Sequence, residues 1–142
     1  MKTINLILQK KSPIVYSVSQ NVSVFEALQM MMEKNISALL VMDDETLVGI
    51  FTERDYARKI ILQGKSSKDT PIHLVMTRDP HTITTEEKID SCMELMTNNH
   101  FRHLPVVENG KVIGMVSIGD IVKHVIEDQK RTIDHLQSYI SS

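Results

Sequence analysis

Two short stretches of this chain place a hydroxyl and a carboxylate three positions apart, each at the end of an apolar run that contains a glycine. The first is Val48-Gly49-Ile50-Phe51-Thr52-Glu53-Arg54-Asp55, and the second is Ile113-Gly114-Met115-Val116-Ser117-Ile118-Gly119-Asp120. Where a strand runs into a helix, this spacing puts Thr52 or Ser117 at the N-cap and Asp55 or Asp120 at N3, where each satisfies an N–H that the helix leaves orphaned. Taken singly, either pair reads as a cap. Recurrence at matched positions adds a second reading, because strand-to-helix corners are where α/β units present binding groups. A carboxylate there accepts hydrogen bonds from a vicinal diol such as that of ribose, and the hydroxyl with nearby helix N–H groups suits phosphate or ribose oxygens. Capping and binding can coexist.

The elements that position these corners are repeated too. Positions 49 and 114, and positions 55 and 120, differ by 65, and the same ungapped shift lays Tyr16-Ser17-Val18-Ser19 on His81-Thr82-Ile83-Thr84. It also lays Ile36-Ser37-Ala38-Leu39-Leu40-Val41 on Phe101-Arg102-His103-Leu104-Pro105-Val106, with few identities but apolar character kept in register. Each half begins with a short strand and continues with a helix whose apolar residues fall at i, i+3, i+4, i+7: Val24, Ala27, Leu28 and Met31, then Ile89, Cys92, Met93 and Met96. Ser23 with Glu26, and Thr84 with Glu87, have capping-box spacing at the expected helix starts. A β-hairpin follows in each half, turning at Asp43-Asp44-Glu45 or at Glu108-Asn109-Gly110, and then a second helix. A unit of about 60 residues is small to bury its sheet alone, so the two halves are expected to pack face to face about a pseudo-twofold axis, with clefts where the sheets meet. The expected fold is therefore α/β, two β-α-β-β-α repeats and a long C-terminal helix. Its first motif spans residues 1–64 with an N-terminal helix, a polar linker spans 65–75, and the second motif spans 76–142. Val122, Ile126, Ile133, Leu136 and Ile140 form an apolar stripe on the last helix that suits packing on its own domain or on a partner subunit.

The two glycine-to-aspartate corners, together with Met76-Thr77-Arg78-Asp79-Pro80 and Phe101-Arg102-His103-Leu104-Pro105-Val106, resemble the tandem CBS-domain family, named from cystathionine β-synthase. The resemblance runs from about Leu6 to Tyr139 and rests on the motifs in combination. It implies a Bateman module, of the small stand-alone type, that binds an adenine nucleotide such as AMP, ADP, ATP or NAD(H), or S-adenosylmethionine, as a regulatory ligand and not as a cofactor. It further implies that Asp55 and Asp120 hold ribose, with Thr52 and Ser117 near ribose or phosphate. One pocket would be lined by Tyr16, Ser17, Val18, Ile36 and Ala38; the other by His81, Thr82, Ile83, Phe101, His103, Leu104 and Pro105. A homodimer of disk-like form and an unnamed regulated protein are implied as partners. The two pockets are expected to be unequal, since Arg54 is matched by Gly119, Arg102 by Ser37 and His103 by Ala38. Some of Arg54, Arg102 and His103 would hold a phosphate through charge-assisted bonds; otherwise they are solvated surface groups.

Composition narrows the alternatives. With 16 basic and 18 acidic residues, a net charge of -2 and 4% aromatics, the chain has no basic footprint or stacking platform for nucleic acid. It has no apolar run of transmembrane length and no signal-peptide pattern, and its one cysteine, Cys92, lies in an apolar helical pattern, so a reducing, cytoplasmic setting is expected. Six histidines make no recognisable metal set, and nine methionines read as adaptable core packing. Neither Gly-x-Gly-x-x-Gly nor a Walker A loop is present, so no enzyme is expected. Two rival readings remain: a dimerisation or docking scaffold with empty pockets, in which both aspartates are only caps, and an acid/base enzyme using His103 with Asp120.

Overall fold

The computed structural model describes residues 2–141. Helix α1 (Ile4–Lys10) leads to strand β1 (Ser17–Ser19), helix α2 (Val24–Lys34), and the hairpin of β2 (Ala38–Asp43) and β3 (Thr46–Thr52). A short α3 (Glu53–Tyr56) continues as a π-helical turn, Ala57–Ile61. After a 3-10 turn at Ile72–Leu74 come β4 (Thr77–Arg78), α4 (Ile89–Asn99), the hairpin of β5 (His103–Glu108) and β6 (Lys111–Ser117), and α5 (Ile118–Ser141). One sheet has the order β1-β2-β3-β4, with β1 parallel to β2 and the other pairs antiparallel. The second is the β5-β6 hairpin, to which Ile83 adds a parallel bridge on Val106.

The repeat holds at the level of backbone geometry. Val18 pairs with Val41 as Ile83 pairs with Val106, and the hairpin register shifts between Val41 and Met42 as it does between Val106 and Val107. Both helices α2 and α4 end in the left-handed region, at Asn35 (φ 54°) and His100 (φ 57°). Both hairpins turn through a positive φ, at Asp44 and at Asn109, and Gly110 with φ 77° completes the second turn. Every pair is 65 residues apart. Short side chains with polar tips tolerate the left-handed well better than branched ones, which is why Asn and Asp stand at three of these four positions.

Helix α2 starts as its spacing predicts: the Ser23 hydroxyl accepts from the Glu26 N–H at 3.1 Å. Helix α4 does not start at Thr84. It begins at Ile89 behind Lys88, which offers no side-chain cap, and Glu87 only closes a backbone turn on the Thr84 carbonyl. By the repeat shift Lys88 stands in the place of Ser23, so the Thr84–Glu87 spacing falls one turn too early. Ile89, Cys92 and Met96 are buried along α4, whereas Met93 is 37% exposed.

Each copy has its own core, and each core is closed by a segment that precedes the other copy in the chain. Ile4 and Ile7 of α1 pack with Ile83, Ile89, Leu104, Val116 and Ile121 of the second copy. The Ile4 N–H donates to the Glu87 carbonyl at 2.9 Å, and the Ile89 N–H to that of Lys2 at 3.1 Å. In return Ile72, Val75 and Met76 pack with Val24, Leu39, Phe51 and Ile60 of the first copy, and the Ile72 N–H donates to the Val22 carbonyl at 2.8 Å. Part of the stretch expected as linker is thus core. The exchange also explains the glycine of each corner motif: a Cβ at Gly49 would stand 2.8 Å from Met76 Cγ, and one at Gly114 would stand 2.9 Å from Leu8 Cδ2. A third apolar cluster, Ala38, Leu40 and Ile50 with Val112 and Met115 packed against them, joins the two sheets.

Overpacking a strand against a packed neighbour costs about 1–3 kcal/mol. Gly114→Ala is therefore expected to destabilise the protein by about that amount, and Leu8→Ala in the same chain to return part of the loss. Urea unfolding followed by circular dichroism reads both; additive losses would show that α1 does not lie on β6.

Candidate functional site

The corner at Thr52 folds as a complete capping box. Thr52 Oγ1 accepts from the Asp55 N–H at 3.2 Å, and Asp55 Oδ2 accepts from the Thr52 N–H at 3.0 Å. Its other oxygen, Oδ1, accepts from Thr77 Oγ1 at 3.2 Å and lies 3.2 Å from Lys59 Nζ, which also donates to the Val75 carbonyl at 2.9 Å. Asp55 is only 8% exposed, a burial that a carboxylate tolerates when its lone pairs are filled this way.

This corner opens on a cavity of about 540 Å³ shared between the two copies. The first copy supplies Thr52, Arg54, Asp55, Arg58 and Lys59; the second supplies His100, Phe101, Arg102 and His103. Phe101 packs its ring against His81 with centroids 6.1 Å apart. His103 Nε2 lies 3.3 Å from the Ser37 hydroxyl, linking equivalent hairpin entries across the pseudo-twofold. Burial, together with the Arg102 guanidinium, holds the His103 imidazole below its ordinary range against the opposing pull of Asp120. His103 is accordingly neutral at pH 7 and leaves the cationic work to arginine.

The second corner has the same box and a different environment. Asp120 Oδ2 accepts from the Ser117 N–H at 2.8 Å, and Ser117 Oγ accepts from the Asp120 N–H at 3.1 Å. Lys11, arriving from the end of α1, places Nζ 2.7 Å from Asp120 Oδ2 and 2.7 Å from the Met115 carbonyl oxygen. Burial by itself would raise the Asp120 carboxyl, but the bonds from Lys11 and Ser117 outweigh it and hold the group below its usual value. Asp120 lines a cavity of only about 90 Å³, with Lys10, Lys11, Lys123 and His124 among its walls.

The remaining expected residues divide among several places. Tyr16, Ile36 and Ala38 line a cavity of about 440 Å³ with Lys11, Gly114 and Met115, so they face the second copy's strand and not Asp55. Ser17 and Val18 line an open hollow near the hairpin turns, beside Asp44 and Lys111. Ile83 and Leu104 belong to the second core, Pro105 is buried in β5, and Thr82 and Gly119 are exposed. Each cleft therefore combines a corner or strand of one copy with the hairpin entry of the other. Arg58, Lys59, Thr77 and Lys11 were missed in the sequence. Lys59 had a readable signal, the i,i+4 relation to Asp55 on one helix, whereas Thr77 and Lys11 reach their carboxylates only through the exchange of segments.

A family model described as the CBS domain matches residues 10–62 and, again, residues 71–127. The chain belongs to the CBS domain family. A CBS domain-containing protein of Arabidopsis thaliana named CBSX3, mitochondrial, is 43% identical over 123 residues, which are 83% of this chain and 60% of that protein; the chain thus spans about three-fifths of that relative's length. A solved CBS-domain structure from Burkholderia ambifaria is 46% identical, with a TM-score of 0.87 over 90% of this chain and 96% of that one. CBSX2, solved in complex with AMP, is 25% identical with a TM-score of 0.75, over 91% of this chain and 99% of that one. The CBS domain pair of MJ0100, solved with 5'-methylthioadenosine and S-adenosyl-L-methionine, is 28% identical with a TM-score of 0.77, over 87% and 99%. These neighbours are CBS pairs of the same α/β build, as the resemblance implied.

Because Asp120 holds its proton less readily folded than unfolded, its contribution to stability is fully present above the unfolded value of about 3.9 and is lost as pH falls through the lower folded value. Asp120→Asn is expected to flatten the acid limb of the stability curve. Urea midpoints measured downward from neutral pH test this, and curves that stay parallel to wild type would contradict the Lys11–Asp120 pair.

Proposed function

We propose that this CBS pair is a regulatory module that binds an adenine nucleotide, AMP foremost, in the cleft shared by Asp55 and the second hairpin. The observation that carries this reading is the convergence of a ribose-competent carboxylate with arginines from both copies, Arg54 and Arg58 from one and Arg102 from the other, around about 540 Å³ of space. The ribose diol would donate to Asp55 in place of Thr77, the purine would lie against Phe101 and Ile50, and the phosphate would take the guanidinium groups. Guanidinium forks match phosphate oxygens in charge and geometry, whereas neutral His103 offers a single donor. The relatives solved with AMP and with S-adenosyl-L-methionine support an adenosine-containing ligand.

The work of such a module is binding, not turnover. Among the described residues no group of three His, Cys, Asp or Glu side chains is placed to hold a metal. The Cys92 thiol is buried and pushed up to about 11 by that burial and by Glu87, which keeps it protonated and inert. A ligand that bridges the copies binds one arrangement of them better than another and shifts the balance by that difference in affinity. The exposed stripe on α5, with Val122 at 50%, Ile126 at 59% and Leu136 at 55%, fits a homodimer contact through which the shift would reach a regulated protein. The same stripe is what favours the scaffold reading, in which dimerisation is the whole function. Among the described residues no helix is long and apolar enough to cross a membrane, and the free cysteine fits a reducing compartment, which we take as the cytoplasm.

Titration calorimetry of the full chain against AMP, ATP, NADH and S-adenosylmethionine tests the reading. Saturable AMP binding is expected, abolished in Asp55→Asn with the fold intact. Arg102→Ala should weaken AMP by about tenfold or more while leaving adenosine unchanged, since a lost charge-assisted bond costs about 1.5–3 kcal/mol. No heat with any of the four, at protein concentrations well above micromolar, would leave the scaffold reading in its place.

A further inference from the structure

The two carboxylates are related by the repeat but not by their access. Asp55 lines its large cavity directly, while Asp120 is cut off from the 440 Å³ cavity of Tyr16, Ile36 and Ala38. Lys11 is the partition: it lines that cavity on one side and the 90 Å³ cavity of Asp120 on the other. Its ammonium bridges Asp120 Oδ2 and the Met115 carbonyl oxygen, both at 2.7 Å, and so stands between the carboxylate and the larger cavity. At the equivalent position in the first copy, 65 residues on, stands Met76, whose uncharged side chain lies in the core against Gly49.

The cation that serves Asp55 comes from a different direction. Lys59 reaches it from the same helix, four residues on, and is anchored behind it on the Val75 carbonyl. Its equivalent in the second copy is His124, which is 6% exposed and leaves Nδ1 without a hydrogen-bond partner. With no lysine on α5 in that place, Asp120 is neutralised from the exchanged helix instead, and the neutralising group is the one that closes the cleft.

We infer that Lys11 is an intramolecular plug of the second CBS site, so that each chain takes a single adenosine ligand, at Asp55, and Lys11 is the residue that sets this stoichiometry. The inference rests on the nucleotide-binding reading for the choice of AMP as probe, while the behaviour of the Asp120 site decides it independently. AMP is titrated into wild type, Lys11→Met, Lys11→Ala, and each Lys11 variant combined with Asp120→Asn, with circular dichroism confirming the fold of every variant. Wild type is expected to bind one AMP per chain, dependent on Asp55. At least one folded Lys11 variant is expected to gain a second site, raising the stoichiometry to two, and to lose the gain when Asp120 is replaced.

Two sites in wild type, or folded Lys11 variants with no Asp120-dependent gain, overturn the inference. The nucleotide-binding reading stands or falls separately, on the Asp55-dependent site of wild type. A gained site in the variants with none in wild type would contradict that reading and overturn the single-ligand stoichiometry, leaving Lys11 only as the group that closes the Asp120 site.

Discussion

The architecture depends on an exchange of entry segments. Helix α1 lies on the second copy and residues 70–78, its counterpart in the repeat, on the first, so each core is closed by the segment that leads into the other copy. Gly49 and Gly114 are points of close approach, where an added Cβ would crowd the side chains of Met76 and Leu8 that sit on the strands. A pair of units each too small to bury its sheet becomes one body, because separating the copies would strip Ile4 and Ile7 from one core and Ile72 and Val75 from the other.

The same exchange furnishes the sites. It brings Thr77 to Asp55 and Lys11 to Asp120, as each exchanged segment passes the corner of the copy it closes. One segment delivers a neutral hydroxyl and the other a charge. The first carboxylate, paired with Lys59 of its own helix, lines a large, arginine-rich cleft, and the second is held by an ammonium that also stands between it and the larger cavity on its side. Two sites of common origin thus differ in electrostatics and in shape, through residues outside the corner motifs themselves.

What could be read from the sequence was what recurs locally. The shift of 65 located strands, hairpins and both capping corners, since each depends on residues a few positions apart. The asymmetry between Arg54 and Gly119, and between Arg102 and Ser37, was legible on the same basis. Pairings across the pseudo-twofold were not, because no periodicity records that Asp55 faces Phe101 through Arg102 while Tyr16 and Ile36 face Gly114. Leu104 illustrates the related problem of faces: an apolar residue on β5 between His103 and Pro105 looks like a pocket wall until the sheet shows its side chain in the core. Thr84 shows that a capping spacing binds only where the helix actually begins.

The central claim is that the nucleotide site is built across the two copies from Asp55 on one side and Phe101 to His103 on the other. A crystal structure of the full chain grown with AMP tests it most directly. The account predicts ribose hydroxyls on the Asp55 carboxylate, the purine against Phe101 and the phosphate among Arg54, Arg58 and Arg102. AMP with its ribose on Asp120, or with its purine lodged between Tyr16 and Ile36, would contradict it.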